Sequence, residues 1–187
     1  MEKTTLQYIA GFFDGEGSIG IYYRQKPKDR FHLRTQLVNN KNKDVQRLMT
    51  YLMNEFGGNL SEQITLSGRV KYNWQLNSDK AVYFLRKIRP YLISKKDQAI
   101  IAINWQEQRP PLIRDKKGRI QMKRKRTVEF DIKVSRLIKA LKEEDLDAVI
   151  EKQKDLINVV KELMPLTTTQ ENKKFAKARI RDNNLFR

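Results

Sequence analysis

Apolar positions along the first part of the chain alternate between helical spacing and strand spacing. The predicted elements, in chain order, are a helix over 5–14, strands over 18–26 and 31–38, a helix over 44–56, strands over 59–66 and 70–77, and helices over 79–88 and 95–107. Thr4 to Gln7 has the spacing of a capping box, Gly15 and Gly17 are expected to end the first helix, and Asp79 is expected to cap a later one. This order predicts an α+β domain with an antiparallel sheet.

The pattern changes at Arg109. Residues 116–126 form a dense basic loop, and two helices with apolar stripes follow before a polar tail after Pro165. We therefore divide the chain into a core over 1–108 and a second region over 109–187, in which the basic loop, the helical extension and the tail pack on the core.

Charge and composition restrict the function. Lys and Arg number 39 against 22 acidic residues, and the formal net charge of +17 favours a polyanionic partner, nucleic acid before a membrane surface. No apolar run approaches the roughly 18 residues that span a bilayer, so no membrane association is expected. The absence of Cys and the single His make thiolate chemistry, zinc clusters and a Ser-His-Asp triad improbable. We expect no targeting segment, and hence a cytoplasmic protein in a prokaryote or a protein inside the organelle that encodes it.

The segment Asp14-Gly15-Glu16-Gly17-Ser18 places two carboxylates between glycines where a helix gives way to a strand. Carboxylate and carbonyl oxygens are the ligands that Mg²⁺ prefers. A helix that simply ends in a glycine turn would be the better explanation of the segment if it stood alone.

Two motifs resemble those of the LAGLIDADG homing endonucleases. Tyr8-Ile9-Ala10-Gly11-Phe12-Phe13-Asp14-Gly15-Glu16-Gly17-Ser18-Ile19 is similar to the family form LAGFxDGDGSI, with Glu16 in place of its second Asp. Residues 88–92 followed by 95–99 resemble the family's PYL…K-x-x-QA segment. The resemblance covers about residues 5 to 107, and it implies the αββαββα fold with an antiparallel DNA-binding sheet, followed here by a C-terminal helical extension.

The resemblance also implies a metal site and a homodimer. Glu16 would bind a divalent metal through its carboxylate, and the Gly15 carbonyl would be a second ligand. The expected ion is Mg²⁺, for which Mn²⁺ or Ca²⁺ could substitute in binding. The first helices of two chains would pack together through Ala10 and Gly11, with Asp14 capping or bonding across the interface. Lys95 would be the active-site lysine, Gln98 matches a second position of that segment, and Asn40 or Lys41 would position water.

The two hairpins are expected to carry the DNA-binding surface. If Leu33, Thr35 and Leu37 face the core, the alternate residues of each strand face outward and can bond base edges. The predicted DNA-binding residues on the strands are Arg24, Lys26, Arg34, Gln36, Ser61, Gln63, Lys71, Asn73 and Gln75. The basic loop is expected to grip phosphates through Lys116, Lys117, Arg119, Lys123 and Arg124.

Together with the positive charge, the resemblance implies a sequence-specific, metal-dependent endonuclease that cuts both strands of a long pseudo-palindromic DNA site as a homodimer, in intron homing. No further protein partner is expected. Two alternatives stay open: an RNA-binding intron maturase, and a non-catalytic DNA-binding regulator of the same fold. Cleavage of a DNA duplex would indicate the endonuclease, selective binding of intron RNA would indicate the maturase, and DNA binding without cleavage would indicate the regulator.

Overall fold

The computed structural model describes residues 5–24, 30–108, 113–114, 120–121 and 127–163. Its elements are α1 (Leu6–Glu16), β1 (Gly17–Arg24), β2 (Arg30–Asn40), α2 (Lys43–Phe56), β3 (Asn59–Ile64), β4 (Val70–Asn77), α3 (Ser78–Ile88), α4 (Lys96–Glu107), β5 (Ile113–Arg114), β6 (Ile120–Gln121), α5 (Val128–Ala140), α6 (Leu146–Lys152) and α7 (Ile157–Leu163). The predicted α+β class and the αββαββα order from α1 to α3 are confirmed.

Four strands form one antiparallel sheet in the order β1-β2-β4-β3. Their pairing places Ser18 opposite Gln36, Gln36 opposite Gln75, and Asn73 opposite both Val38 and Ser61. Leu33, Thr35 and Leu37 are fully buried, as the alternation in β2 predicts. One face of the sheet therefore packs on the helices and the other faces away from them.

An aromatic cluster joins the sheet to the helices. The ring of Phe84 on α3 meets the rings of Phe13, Phe56 and Trp74 edge-on, with centroids 5.0 to 5.2 Å apart. The Trp74 indole N–H donates to the Gly57 carbonyl oxygen at 2.9 Å, which satisfies its polar atom inside the core. This cluster fixes α1, and hence the acidic segment at its end, against the sheet.

Several predicted helix ends are wrong. Thr5, not Thr4, caps α1, because its side chain accepts from the Tyr8 N–H at 3.2 Å. Gly15 does not end α1, which continues through Glu16 to Gly17. Asn77 rather than Asp79 precedes α3, and the Asp79 carboxylate accepts instead from the Gln106 amide at 3.1 Å.

The C-terminal helices contact the core. α5 packs along β1, an edge strand, and the Ser135 hydroxyl donates to the Ile21 carbonyl oxygen at 2.7 Å. Where the sequence predicts two helices, the described residues form α5, α6 and α7. Within the described ranges, no helix is both long and apolar enough to span a bilayer.

Candidate active site and nucleic-acid interface

The carboxylate of Asp14 joins the end of α1 to the segment before α4. It accepts from the Ile93 N–H at 2.6 Å, and from the Ser94 hydroxyl and the Lys95 N–H at 3.0 Å each. The Lys95 ammonium also donates to the Asp14 main-chain oxygen. Asp14 therefore positions Lys95 within its own chain, a bonding pattern that the sequence did not predict.

Lys95 is partly buried beside this helix end. The pKa of its ammonium is lowered from 10.5, chiefly because burial disfavours the charged form. The negative charges of Asp14 and Glu16 act in the opposite direction, whereas the positive charge of Lys142 lowers the pKa further. A lysine with a lowered pKa close to a carboxylate is typical of functional sites.

Glu16 and Gly15 lie exposed at the end of α1. Carbonyl groups in the last turn of a helix lack partners within the helix, and the negative end of the helix dipole favours a cation there. The oxygen donors fit a hard divalent cation. Among the described residues, no group of three or more His, Cys, Asp or Glu side chains could hold a metal ion.

The other predicted site residues have different surroundings. Gln98 is buried, and its amide N–H donates to the Leu141 carbonyl oxygen at 2.6 Å. The Lys41 ammonium pairs with Glu62 at 2.6 Å and lies over the Tyr72 ring. Asn40 is exposed at the end of β2, opposite Lys71. Lys41 is thus already paired, whereas Asn40 faces outward.

Residues of α1 divide between the core and an exposed face. Ala10 is fully buried within its own chain, whereas Gly11 and Gly15 are exposed. A Cβ atom added at either glycine would meet no heavy atom within 4 Å. Tyr8, 57% exposed, lies one turn before Phe12 and stacks on its ring. The open side of α1 is therefore made by Gly11 and Gly15, and Ala10 belongs to the core.

The outer face of the sheet brings together most of the polar residues predicted to meet DNA. By register, Arg34 pairs with Asn77, Gln36 with Gln75, and Gln63 with Lys71. The intermediate exposure of Arg34, Gln36, Ser61, Lys71 and Gln75 agrees with an outward position. Asn73 lies on the same face but is only 6% exposed, so its neighbours cover it.

The remaining predicted DNA-binding residues lie at the end of β1 or outside the described residues. Arg24 is the last residue of β1, with its backbone opposite Arg30. Lys26, Lys116, Lys117, Arg119, Lys123 and Arg124 lie outside the described residues. Their roles remain predictions.

A family comparison matches more than half of the chain. The model of the LAGLIDADG endonuclease family matches residues 9–105, from within α1 to within α4. The chain belongs to the LAGLIDADG endonuclease family. The match contains both Glu16 and Lys95, and a search of curated proteins found no match.

Solved structures of LAGLIDADG proteins share this fold. The homing endonuclease I-CvuI in complex with its target, in the presence of calcium, is 15% identical, with a TM-score of 0.53 over 81% of this chain and 93% of that one. I-CvuI with the I-CreI target, in the presence of magnesium and with the DNA not cleaved, is 16% identical, with the same TM-score and coverage. The archaeal intron-encoded homing endonuclease I-Vdi141I, complexed with DNA, is 16% identical over 81% of this chain and 95% of that one, with a TM-score of 0.49. At such identities the likeness to I-CvuI shows the fold alone.

The predictions missed two residues on the outer face of this LAGLIDADG sheet. The Arg34 guanidinium lies 5.0 Å from the Tyr22 ring centroid, and its Nη2 is 3.4 Å from His32 Nε2. A Cβ atom on Gly20 would stand 2.6 Å from the Tyr22 ring, so the glycine leaves room for that ring. Strand pairing is the signal that could have found Tyr22 and His32, because they face each other directly in the β1–β2 register.

Proposed function

We propose that this chain is a sequence-specific DNA endonuclease that acts as a homodimer, depends on a divalent metal, and cuts both strands of a long pseudo-palindromic site in intron homing. The observation that carries this proposal is the junction of Glu16, Asp14 and Lys95 at the end of α1. Membership of an endonuclease family supports it, as do the crystal structures of I-CvuI in complex with DNA targets.

Glu16 and Gly15 are the residues that would hold the metal, through a side-chain carboxylate and a main-chain carbonyl. When bound, a divalent metal activates water and stabilises the negative charge that develops during phosphodiester hydrolysis. Mg²⁺ is the expected ion, with Mn²⁺ and Ca²⁺ as alternatives for binding. Because one chain contributes a single exposed carboxylate here, a second copy would supply the site for the second strand.

Residues of the chain itself would orient the reaction. Lys95, held by Asp14, presents a cation beside Glu16 and can offset charge on the phosphate that reacts. Asn40 is the better of the two candidates for positioning water, because Lys41 is engaged with Glu62. Gln98 has a positioning role, since its amide N–H bonds to the end of α5.

The outer face of the sheet would read the DNA sequence. Arg34, Gln36, Lys71 and Gln75 present donors and acceptors from adjacent strands, an arrangement suited to base edges in the major groove. Stacking on Tyr22 holds the guanidinium of Arg34 in place before DNA arrives. The basic loop over 116–126 would add sequence-independent affinity for phosphates.

The test begins with selection of a preferred duplex from a randomised DNA library, followed by cleavage of that duplex with Mg²⁺. Glu16→Gln keeps the shape of the side chain and removes the charge, so we expect duplex binding to persist and cleavage to fall by about 100-fold or more. Glu55→Gln, on the exposed side of α2, is the matched control and should cut at the wild-type rate.

Equal cleavage by wild type and Glu16→Gln would show that the metal assignment is wrong. Selective binding of intron RNA, without cleavage of any selected duplex, would favour the maturase alternative.

A further inference from the structure

The C-terminal helices are fastened to the core by buried hydrogen bonds. The Trp105 indole N–H donates to the Asp131 carboxylate at 2.8 Å, and the Gln98 amide donates to the Leu141 carbonyl at the end of α5 at 2.6 Å. With the bond from Ser135 to Ile21, these contacts hold α5 against β1 and α4. The residue after Leu141 is therefore carried to a fixed place beside the candidate active site.

That residue, Lys142, lines a cleft of about 210 Å³ that also contains Lys95. The cleft is lined by Gly17, Ser18, Ser94, Lys95, Gln98, Leu141 and Lys142. Two lysines from distant parts of the chain thus line one small cleft, and the charge of Lys142 acts on the Lys95 ammonium. Like charges placed together repel each other unless an anion lies between them.

A buried acceptor in the wall of the cleft lacks a hydrogen-bond donor. The Gln98 side chain is 2% exposed and lines the cleft, and its Oε1 has no hydrogen-bond partner among the described residues. The amide nitrogen of the same side chain donates to the Leu141 carbonyl oxygen, and this bond fixes the orientation of the amide group. An unpartnered buried acceptor is costly, by about 1 to 3 kcal/mol. This oxygen calls for a donor and does not itself attract an anion; a lysine ammonium, which has three donors, is the kind of group that could serve both.

Glu16 is an acidic group beside Lys95, and it does not line the cleft; the other acidic groups nearby are already paired or lie outside the cleft. Glu144 forms an ion pair with Lys152 at 2.6 Å, and Asp14 is engaged with the 93–95 segment. Asp97 lies in the first turn of α4 and Glu143 is exposed beside Lys142, but neither lines the cleft. The positively charged end of the α4 dipole favours an anion here, whereas α1 and α5 border the cleft with the negative ends of their dipoles, so the two lysines must supply the attraction.

We propose that this cleft binds a phosphate group, which in the DNA complex is a backbone phosphate next to the scissile one, and that Lys142 is one of the two cations that hold it. The inference rests on the proposed function and extends it. It gives the C-terminal helices a role in the active site, since they supply a residue that the matched family region, 9–105, does not contain.

The first experiment uses inorganic phosphate and the full chain. We would compare melting temperatures in phosphate and in chloride at equal ionic strength for the wild type, Lys142→Met and Lys139→Met. Lys139 is an exposed lysine in the last turn of α5 that does not line the cleft, so it is the matched control. Ligand binding to the folded state raises its stability, so phosphate should raise the melting temperature of the wild type and Lys139→Met more than that of Lys142→Met.

The second experiment uses the selected duplex and measures its affinity against salt concentration. Loss of one phosphate contact reduces the slope of log K against log salt by about 0.9. We expect this reduction in Lys142→Met and not in Lys139→Met, with unchanged urea unfolding in both variants.

The outcomes separate the two proposals. A difference between the variants in the duplex experiment supports the inference, whether or not free phosphate also binds. A difference with inorganic phosphate alone overturns the assignment to DNA, and identical behaviour of the variants in both experiments overturns the site. If the wild type binds no duplex, the proposed function fails, and the phosphate experiment still decides whether the cleft binds this anion.

Discussion

At the scale of single residues, the two carboxylates of the DGEG segment have separate roles. Asp14 is half-buried and uses its oxygens on three donors from residues 93–95, whereas Glu16 is exposed. The motif indicated that both matter, but it could not assign the partners of Asp14, which are 79 to 81 positions away in the sequence. Tertiary packing decides which carboxylate orients a lysine and which one meets solvent.

Lys95 should make the stability of the chain depend on pH. Because burial lowers its pKa, the folded chain binds fewer protons at this site than the unfolded chain between the lowered value and 10.5. The free energy of unfolding should therefore rise with pH across that interval, and Lys95→Met should lack this contribution. Urea unfolding at a series of pH values measures it.

Lys139→Met supplies the baseline for this comparison, since Lys139 is exposed on α5. Parallel pH profiles for the wild type and Lys95→Met would contradict the prediction.

At the scale of elements, the sequence predicted the order of helices and strands from α1 to α4, but not where α1 ends or how many helices follow residue 127. Apolar spacing suffices for the order, because each helix and strand must turn one face to the core. The end of α1 depends on a contact that spacing does not reveal: a Cβ atom at Gly17 would lie 2.3 Å from the Phe13 ring, whereas one at Gly15 would meet nothing. The outer face of the sheet was also predictable, because apolar and polar positions alternate along each strand. The stacking of Arg34 on Tyr22 was not predictable, because it depends on how β1 and β2 are aligned.

Gly15 in the last turn of α1 and Gly17 directly after this helix should respond in opposite ways to substitution by alanine. Gly17→Ala forces a methyl group against the buried ring and the main-chain oxygen of Phe13. We expect this substitution to lower the free energy of unfolding by about 1 to 3 kcal/mol. Gly15→Ala replaces a helical glycine in open space, and we expect it to stabilise the isolated chain by up to about 1 kcal/mol. Urea unfolding at low protein concentration measures both, and a loss of stability in Gly15→Ala would show that its surroundings are more crowded than described.

At the scale of the whole molecule, the chain has an open helix face and a large positive charge. The net charge of +17 favours association with nucleic acid without specifying a sequence, so in the proposed function the sheet face supplies the selectivity. Composition alone was enough to predict a polyanionic partner. It could not predict that the helices after residue 127 return to the active site, because that depends on long-range bonds such as the one from Gln98 to Leu141.

A bulky residue at Gly11 should prevent the proposed homodimer. Gly11→Leu leaves the fold of one chain intact, because nothing in that chain lies within 4 Å of the added Cβ, but it fills the space that a second α1 would occupy. We expect the dimer dissociation constant to rise by at least about tenfold, which corresponds to about 1.4 kcal/mol. Sedimentation equilibrium measures this directly.

Gln46→Leu adds an apolar side chain on the exposed side of α2 and controls for a general effect on association. A Gly11→Leu chain that dimerises as strongly as the wild type would show that α1 is not the interface.

The bond network of Asp14 restricts how this protein could be engineered. The last turn of α1 carries Gly15 on its open side and, through Asp14, fixes the segment that carries Lys95. A designer who reshapes the proposed interface there, to build an obligate heterodimer or a single-chain fusion, would also move the lysine. The first turns of α1, around Gln7 and Gly11, lie away from that network, so pairing preference could be changed there without disturbing the groups proposed to cut DNA.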